Sequence, residues 1–293
     1  MKFKVFLCCL CLLAVFLPGC AQEDPCQVAA TTLPVYQFTS AICEGTDIKV
    51  TQLITQQVSC LHDYSLNVSQ ARTLETAEVV VISGGGLEEF MEDSLLQANC
   101  VVDSSQSVPL LECEEHHHEA HSEEGHHHEQ DAHIWLSPEN ARIMASNIAH
   151  GLAQVYPQYA DRFAYNLSIL EQEFDALEQY GQRRLADLSC RELITFHDGF
   201  GYFAEAFDLH ILEAIEEESG SEASAKELKD MITLVREHEL PAVFTEVSGS
   251  ASAADIIAAE TGAKVFSLDM AMAGKDYFEA MYHNIDTIRE AMK

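Results

Sequence analysis

The stretch Val79-Val-Val-Ile-Ser-Gly-Gly-Gly86 carries the local pattern that decides the fold. Four consecutive apolar, β-branched residues predict a strand that is covered on both faces, as strands of a parallel sheet are. The glycines that follow predict a tight turn at the end of this strand. A phosphate-binding loop would need a Gly-Lys-Ser or Gly-Lys-Thr sequence here, and none follows, so we interpret the turn as structural.

Strands and helices alternate on both sides of this strand. Upstream and downstream, the patterns predict strands over 28–32, 48–54 and 100–103, and helices over 33–43 and 69–76. Alternation of this kind indicates a parallel sheet with helices packed on its faces. We therefore assign residues 28–137 to a first α/β lobe.

The second half of the chain repeats the alternation after a long helical stretch. Residues 138–188 have helical periodicity, with a restart at Pro157 and then roughly thirty residues that would span about 45 Å. We interpret this stretch as the link between lobes and residues 189–293 as a second α/β lobe. Its predicted strands cover 192–196, 210–215, 241–245 and 263–268. Its predicted helices cover 199–207, 251–261 and 277–292, and a further helix is predicted after the capping box formed by Ser224 and Glu227. The predicted fold class is two parallel-sheet α/β lobes joined by a long rigid helix, with a site in the cleft between them.

The first residues have the layout of a secretory signal. Lys2 and Lys4 precede an apolar run over 5–17 that is short for a membrane span, and the run ends in Leu17-Pro-Gly-Cys20. This ending resembles a bacterial lipobox, in which the signal is removed and the cysteine carries lipid. We predict a signal over 1–19 and a lipid-anchored tether over 20–27, with a plain secretory signal as the alternative.

Charge excludes one class of partner and cysteine content indicates a compartment. The chain has 48 acidic and 16 basic residues, for a net charge of −32, so it lacks the basic surface that binds nucleic acid. Six cysteines follow Cys20, an even number that predicts disulfides in an exported protein. Fifteen pairings are open. The start of the first strand and the end of the first helix share an edge of the unit, which favours Cys26–Cys43; the others are Cys60, Cys100, Cys113 and Cys190.

Three histidines and one aspartate follow predicted strands or start a helix at positions where α/β proteins bind ligands. His62 follows the strand over 48–54 by one loop, and His133 precedes the helix at Pro138. His197 and Asp269 directly end two strands of the second lobe. A single histidine at such a place is more often structural. Four such residues, two from each lobe, form a good tetrahedral zinc set.

At these residues the sequence resembles the solute-binding proteins of zinc-uptake ABC transporters. The matching segments are Cys60-Leu-His-Asp-Tyr64, Asp131-Ala-His-Ile-Trp-Leu-Ser-Pro138, Phe196-His-Asp-Gly-Phe-Gly-Tyr-Phe203, Phe244-Thr-Glu-Val247, Ala259-Glu-Thr-Gly-Ala263 and Phe266-Ser-Leu-Asp269. The resemblance covers nearly the whole chain from Val28. It implies two lobes joined by a long helix and a metal site made by His62, His133, His197 and Asp269.

The resemblance also bears on which metal is bound. Manganese-binding members of the family have Glu where this chain has His197, and three imidazoles suit zinc better than manganese. Two departures concern the first ligand. The family usually has Pro before its His-Asp-Tyr, where this chain has Cys60-Leu61, and the residues after Tyr64 also differ, so the loop around His62 is expected to have another shape. Glu246, at another strand end, is a candidate outer partner or substitute ligand.

Residues 114–131 contain seven histidines among acids and few apolar residues. Such a segment cannot form a core, and we predict an accessory loop that binds zinc loosely; a solvated insertion without function is the alternative. The spacing does not match the HExxH motif of zinc hydrolases, and a closed four-ligand site favours binding over catalysis. We predict no enzyme activity.

The expected function is therefore that of an exported, lipid-anchored receptor. It would capture Zn²⁺ outside the cytoplasmic membrane, at its outer face or in the periplasm, and deliver it to a membrane ABC permease. The alternatives are a manganese-binding receptor of the same family and a lipoprotein adhesin that a metal stabilises.

Overall fold

The computed structural model describes residues 26–56, 61, 64–112, 130–216, 223–247, 251–272, 274 and 276–293. The first lobe contains a four-stranded parallel sheet in the order β2-β1-β3-β4. Its strands are β1 (Val28–Ala30), β2 (Val50–Gln52), β3 (Val79–Ile82) and β4 (Val101–Asp103). As the apolar pattern predicts, β1 is fully buried and β3 is buried over its first three residues, because helices cover the central strands.

The connections of the first lobe are the helices α1 (Leu33–Ile42), α2 (Val68–Thr76) and α3 (Glu92–Leu95). Pro34 lies in the first turn of α1, and Asn67 and Gln70 form a capping box at the start of α2. The segment between β3 and β4 folds as a short 3₁₀ turn over Glu89–Met91 followed by α3. The sequence patterns did not predict this element, because four residues are too few to establish a helical period.

Two long helices follow, α4 (Pro138–Val155) and α5 (Ala160–Arg184). They pack against each other and are separated by a short turn that begins after Tyr156 and contains Pro157. The helical prediction for this region is confirmed, and the restart at Pro157 is where the chain turns. With 25 residues, α5 is about 37 Å long and packs against α1 at one end and a helix of the second lobe at the other.

Within its described residues, the second lobe has four strands, β5 (Glu192–His197), β6 (His210–Glu216), β7 (Ala242–Glu246) and β8 (Lys264–Leu268). The pairs β5–β6 and β7–β8 are each parallel, and β5 lies alongside β7. Its helices are α6 (Gly201–Ala206), α7 (Ala225–Glu237), α8 (Ser252–Thr261) and α9 (Tyr277–Ala291). The predicted capping box of Ser224 and Glu227 starts α7, and Gly262 ends α8 with a left-handed conformation.

Both lobes reverse their strand order at one place. In the first lobe the chain moves from β1 to β2 on one side and then to β3 on the other. In the second lobe the described strands form two separate ladders, β5–β6 and β7–β8, and the chain moves from β5 to β6 and then to β7, which packs beside β5. The carboxyl ends of β1 and β3, and of β5 and β7, are therefore the two switch points at which α/β proteins bind ligands.

The main hydrophobic core is shared by the two lobes. It runs from the first sheet through Trp135 and the buried faces of α4 and α5 to α9. A smaller cluster lies between the second sheet and α7 and α8. In the part of the chain that the structure describes, no helix combines the length and apolar character needed to cross a bilayer. The predicted signal over 1–19 and Cys20 lie outside the described residues.

The predicted Cys26–Cys43 disulfide is wrong, because both thiols are free. The Cys26 thiol is hydrogen-bonded to Thr51 on the neighbouring strand, and Cys43 is buried at the end of α1. Cys100 and Cys190 are also free, whereas Cys60 and Cys113 lie outside the described residues.

Candidate metal site

His133 is held in place by the carboxylate of Asp131. One oxygen, Oδ1, accepts hydrogen bonds from both the backbone N–H and the ring Nδ1 of His133, each at 2.8 Å. This fixes the proton on Nδ1 and leaves Nε2 as the lone-pair atom of the neutral ring. The ring is buried and packs edge-on against Trp135, with centroids 5.4 Å apart.

His197 is the last residue of β5, and its ring faces that of His133. The two Nε2 atoms are 3.3 Å apart and the rings are nearly perpendicular, at 84°. Two nitrogens bound at 2.0–2.1 Å to one tetrahedral zinc are about 3.3–3.4 Å from each other. The separation of the two Nε2 atoms fits a shared zinc ion, and it is also that of a hydrogen bond between the two rings.

Gly199 makes room for this pair. A Cβ at this position would lie 2.9 Å from Cδ2 of His197, 3.0 Å from Cε1 of His133 and 2.8 Å from Cε of Met270. These distances are shorter than normal carbon contacts, so a larger residue would push the rings apart. The glycine in Phe196-His-Asp-Gly-Phe200 is thus a steric requirement of the site.

Asp269 and Glu246 end the adjacent strands β8 and β7, and both are buried. Asn284 of α9 holds the backbone of Asp269, accepting from its N–H and donating to its C=O at 2.7 Å each. Oδ1 of Asp269 accepts from the N–H of Ala271 at 2.9 Å. Both carboxylates therefore lie at the carboxyl ends of their strands, as does His197 at the end of β5.

The described residues do not include any group of three or more His, Cys, Asp or Glu side chains close enough together to hold a metal. Of the four predicted ligands, the structure brings His133 and His197 together and leaves Asp269 outside ligand distance of that pair. His62 lies outside the described residues.

Opposing effects act on the protonation of His133. Burial lowers its pKa, but the hydrogen bond and negative charge of Asp131, together with the charges of Asp198 and Glu246, raise it more. The net result is a pKa above the usual value of histidine. The same negative charges that favour a proton here would favour a divalent cation.

Two side chains, Tyr202 and Trp135, make hydrogen bonds that connect the lobes beside the histidine pair. The Tyr202 hydroxyl of α6 accepts from the N–H of Leu111 at 2.9 Å and donates to the C=O of Asp131 at 2.8 Å. Trp135 Nε1 donates to the C=O of Met270 at 2.8 Å. Both involve buried side chains, so the segment carrying His133 is attached to the second lobe on two sides.

The predicted histidine-rich loop starts and ends next to this segment. Residues 113–129 lie outside the described residues, but the chain on either side forms an antiparallel bridge between Glu112 and Gln130. The N–H of Asp131 also donates to the C=O of Leu111 at 2.9 Å. The base of the loop is therefore two residues from His133.

The comparisons with known proteins agree on the family of this chain. A model of the family described as "Zinc-uptake complex component A periplasmic" matches residues 28–291. The chain belongs to this family. It is 28% identical to "Zinc-binding protein AdcA" of Streptococcus pyogenes over 290 residues, which cover 91% of this chain and 56% of AdcA. The chain thus spans about half the length of these curated relatives.

Other relatives are matched over nearly their full length. "Manganese-binding lipoprotein MntA" of Bacillus subtilis is 27% identical over 305 residues, covering 96% of this chain and 97% of MntA. Among solved structures, "Crystal structure of ZnuA" is 31% identical, with a TM-score of 0.79 and coverage of 92% of this chain and 99% of the other. The predicted fold class, two α/β lobes with parallel sheets, is confirmed, and this family is a transport component rather than an enzyme family.

The structure adds two residues beside the histidine pair that the sequence patterns did not assign. Asp131 stood in a quoted motif, two residues before His133, and that spacing was the available signal for its role. Tyr202 had no such signal, because its contacts are with residues 71 and 91 positions away.

Proposed function

We propose that this protein is an extracytoplasmic receptor that binds Zn²⁺ and delivers it to a membrane ABC permease. The single observation that carries this proposal is the buried pair His133 and His197, whose Nε2 atoms are 3.3 Å apart. Two imidazole nitrogens at this separation present one tetrahedral edge to a metal ion. Similarity to the zinc-binding protein AdcA supports zinc as the cargo.

The proposed ligand set is His62, His133, His197 and Asp269. Asp269 would need to approach the histidine pair when the ion binds, and negative charge from Glu246 would help to hold the ion. Three imidazoles and one carboxylate fill the four positions of a tetrahedral zinc site. A filled set leaves no position for a reacting water, so we propose no catalytic activity.

The manganese receptor is the second candidate, since the similarity to MntA covers nearly all of both chains. Manganese prefers oxygen ligands, whereas the pair that faces the site consists of neutral nitrogen ligands. This chemistry favours zinc. The adhesin alternative rests only on fold similarity to laminin-binding proteins that are 23% identical.

The location and boundaries belong to the same proposal. We place a signal over 1–19, lipid on Cys20 and a tether over 20–27, so that the receptor is held at the outer face of the cytoplasmic membrane or in the periplasm. Residues 28–137 and 189–293 form the two lobes, and 138–188 connect them. Replacing Cys20 by Ser should release the protein from the membrane fraction without changing its metal binding.

The test is calorimetric titration of the metal-free mature protein with Zn²⁺ and with Mn²⁺. The intact protein should have one tight zinc site, weaker sites from the histidine-rich segment, and much weaker manganese binding. Deletion of residues 114–129, which keeps Asp131 beside His133, should remove the weak sites and leave the tight one. His133→Ala and His197→Ala should each abolish tight binding, because one nitrogen ligand is lost.

His150→Ala is the matched control, because His150 is exposed on α4 and bonded only locally, with Nδ1 2.8 Å from the C=O of Ser146. It should leave the tight site unchanged. Tight manganese binding would favour the manganese receptor. Loss of the tight site in the shortened protein would place that site in the histidine-rich segment and contradict the proposal.

A further inference from the structure

A buried carboxylate occupies the switch point of the first lobe. Glu88 is 3% exposed and lies where β1 and β3 end at the cleft edge of the sheet. At the corresponding place in the second lobe, His197 and Glu246 end β5 and β7. The crevice in which α/β proteins bind a ligand is thus filled, in the first lobe, by a side chain of the protein itself.

Three donors from two strand ends surround this carboxylate. Oε1 accepts from the Thr31 hydroxyl at 2.6 Å and from the N–H of Ser83 at 2.8 Å, and Oε2 accepts from the N–H of Gly84 at 2.9 Å. Thr31 follows β1, and Ser83 and Gly84 follow β3. An ionised carboxylate accepts all three bonds, whereas a protonated one would turn an O–H toward a donor.

The bonds hold a turn that is costly to order. Gly84, Gly85 and Gly86 all have positive φ, at 81°, 64° and 91°, and glycine loses more conformational freedom than any other residue on folding. The N–H of Gly85 donates to the Ser105 hydroxyl at 3.1 Å. Successive N–H groups in such a turn form a concave anion site, and Glu88 supplies the anion.

The turn lies against the segment that carries His133. A Cβ at Gly85 would be 3.7 Å from Cγ2 of Ile134 and 3.5 Å from Cδ2 of Leu110. Ile134 follows His133, and Leu110 precedes Leu111, whose C=O accepts from Asp131. The N–H of Ile54, in the stretch that leads from β2 toward His62, donates to the C=O of Thr31.

We propose that Glu88 is a positioning residue for the metal site, whose ionised carboxylate joins the cleft ends of β1 and β3 and fixes the Gly84–Gly86 turn beneath the segment of His133. The inference rests on the proposed function. Zinc binding requires that the segment carrying His133 be held in one position. Zinc binding therefore favours the ionised form of Glu88, and protonation of Glu88 weakens zinc binding.

The surroundings of Glu88 make its effect on zinc binding sensitive to pH near neutrality. Burial raises the pKa of Glu88, the bonds from Thr31, Gly84 and Ser83 lower it, and the charge of Asp103, at the end of β4, raises it. The net result is a pKa of about 7. The described ends of β1, β2 and β3 contribute uncharged groups here, such as Thr31, Ile54 and Ser83. Glu88 therefore loses its charge as the pH falls through about 7.

The experiment compares Glu88→Gln with the intact protein in two measurements. The first is zinc affinity between pH 6 and 8, determined by competition with a chelating dye. The second is the number of protons released on zinc binding at pH 7, from calorimetry in two buffers of different ionisation enthalpy. Glutamine offers one acceptor oxygen in place of two, so affinity at pH 8 should fall by up to about tenfold. At its midpoint Glu88 is half protonated, so the variant should release about half a proton less.

Glu89→Gln is the matched control, because Glu89 is the next residue on the same segment and is exposed. It should bind zinc and release protons as the intact protein does. If Glu88→Gln does not fold, Thr31→Val removes the 2.6 Å bond alone, and Thr31→Ser keeps the hydroxyl. Thr31→Val should weaken zinc binding and Thr31→Ser should restore it.

Different experimental outcomes would contradict the proposed function and the proposed role of Glu88. If the intact protein has no tight zinc site, the proposed function is wrong. If the intact protein binds zinc tightly and Glu88→Gln, or Thr31→Val in its place, has the same affinity and proton release, the role of Glu88 is wrong. A lower affinity with unchanged proton release would also contradict the proposal, because it indicates a purely structural effect.

Discussion

At the scale of single residues, the site depends on how His133 is oriented. Both bonds from His133 end on one oxygen of Asp131, so the ring angle, the tautomer and the backbone are all fixed by one carboxylate. Carboxylates in this position orient metal-binding histidines and increase their basicity. The pair of Nε2 atoms at 3.3 Å is the product of this orientation and of the end of β5.

Replacing Asp131 by Asn tests this dependence. The amide can still accept a hydrogen bond, but it has no charge, so zinc affinity should fall by about 10- to 100-fold, as is typical of lost outer partners. Chelator competition at pH 8 measures the change. Asp230→Asn, at an exposed position on α7, should leave affinity unchanged. Equal affinities for Asp131→Asn and the intact protein would show that Asp131 does not orient the ligand.

The raised pKa of His133 predicts how zinc binding depends on pH. Zinc needs the unprotonated ring, so binding is strongest above the pKa of His133 and weakens as the pH falls through it. Because Asp131, Asp198 and Glu246 raise this pKa, the weakening should start at a higher pH than for an ordinary histidine. Affinities between pH 5.5 and 8.5 test this, and Asp131→Asn should shift the decline to lower pH. A decline at the same pH in both proteins would be evidence against this cause.

At the scale of elements, strand ends determine which residues meet. His197, Glu246 and Asp269 were predicted at strand ends from hydrophobic runs that stop at a polar residue, and each lies at or directly after the end of its strand. These strands can be predicted from sequence because central parallel strands are covered on both faces and are therefore continuously apolar. The distant partners could not be predicted: Asn284 reaches Asp269 from α9, and Tyr202 reaches Leu111 and Asp131 from α6.

Tyr202→Phe tests the bond that α6 makes across the cleft. The change leaves the N–H of Leu111 and the C=O of Asp131, two main-chain groups, without the hydroxyl. Loss of such partners costs about 1–3 kcal/mol in the free energy of unfolding. Urea unfolding of the metal-free protein measures it, with Tyr165→Phe, whose tyrosine is 59% exposed on α5, as the control. Equal stability of both variants would mean that the hydroxyl is replaceable by water.

At the scale of the whole molecule, the two lobes are parts of one folded body. The main core includes the first sheet, Trp135, both long helices and α9, so separating the lobes would expose apolar surface as well as break hydrogen bonds. The cleft that holds the histidine pair is therefore built on a shared interior. The strongly acidic composition adds a general attraction for cations to the local charges of the site.

The sequence alone was sufficient for the alternation of strands and helices, the two lobes, the strand-end positions of the candidate ligands and the link to a family. These properties follow from local periodicity and from motifs a few residues long, which do not depend on distant contacts. Only the tertiary structure decided that α4 and α5 fold back on each other at Pro157, that Cys26 and Cys43 are both free thiols, and that His133 faces His197. It also placed Glu88 between two strand ends. Each of these depends on side-chain directions and on contacts between residues far apart in the chain, and spacing along the sequence contains no information about them.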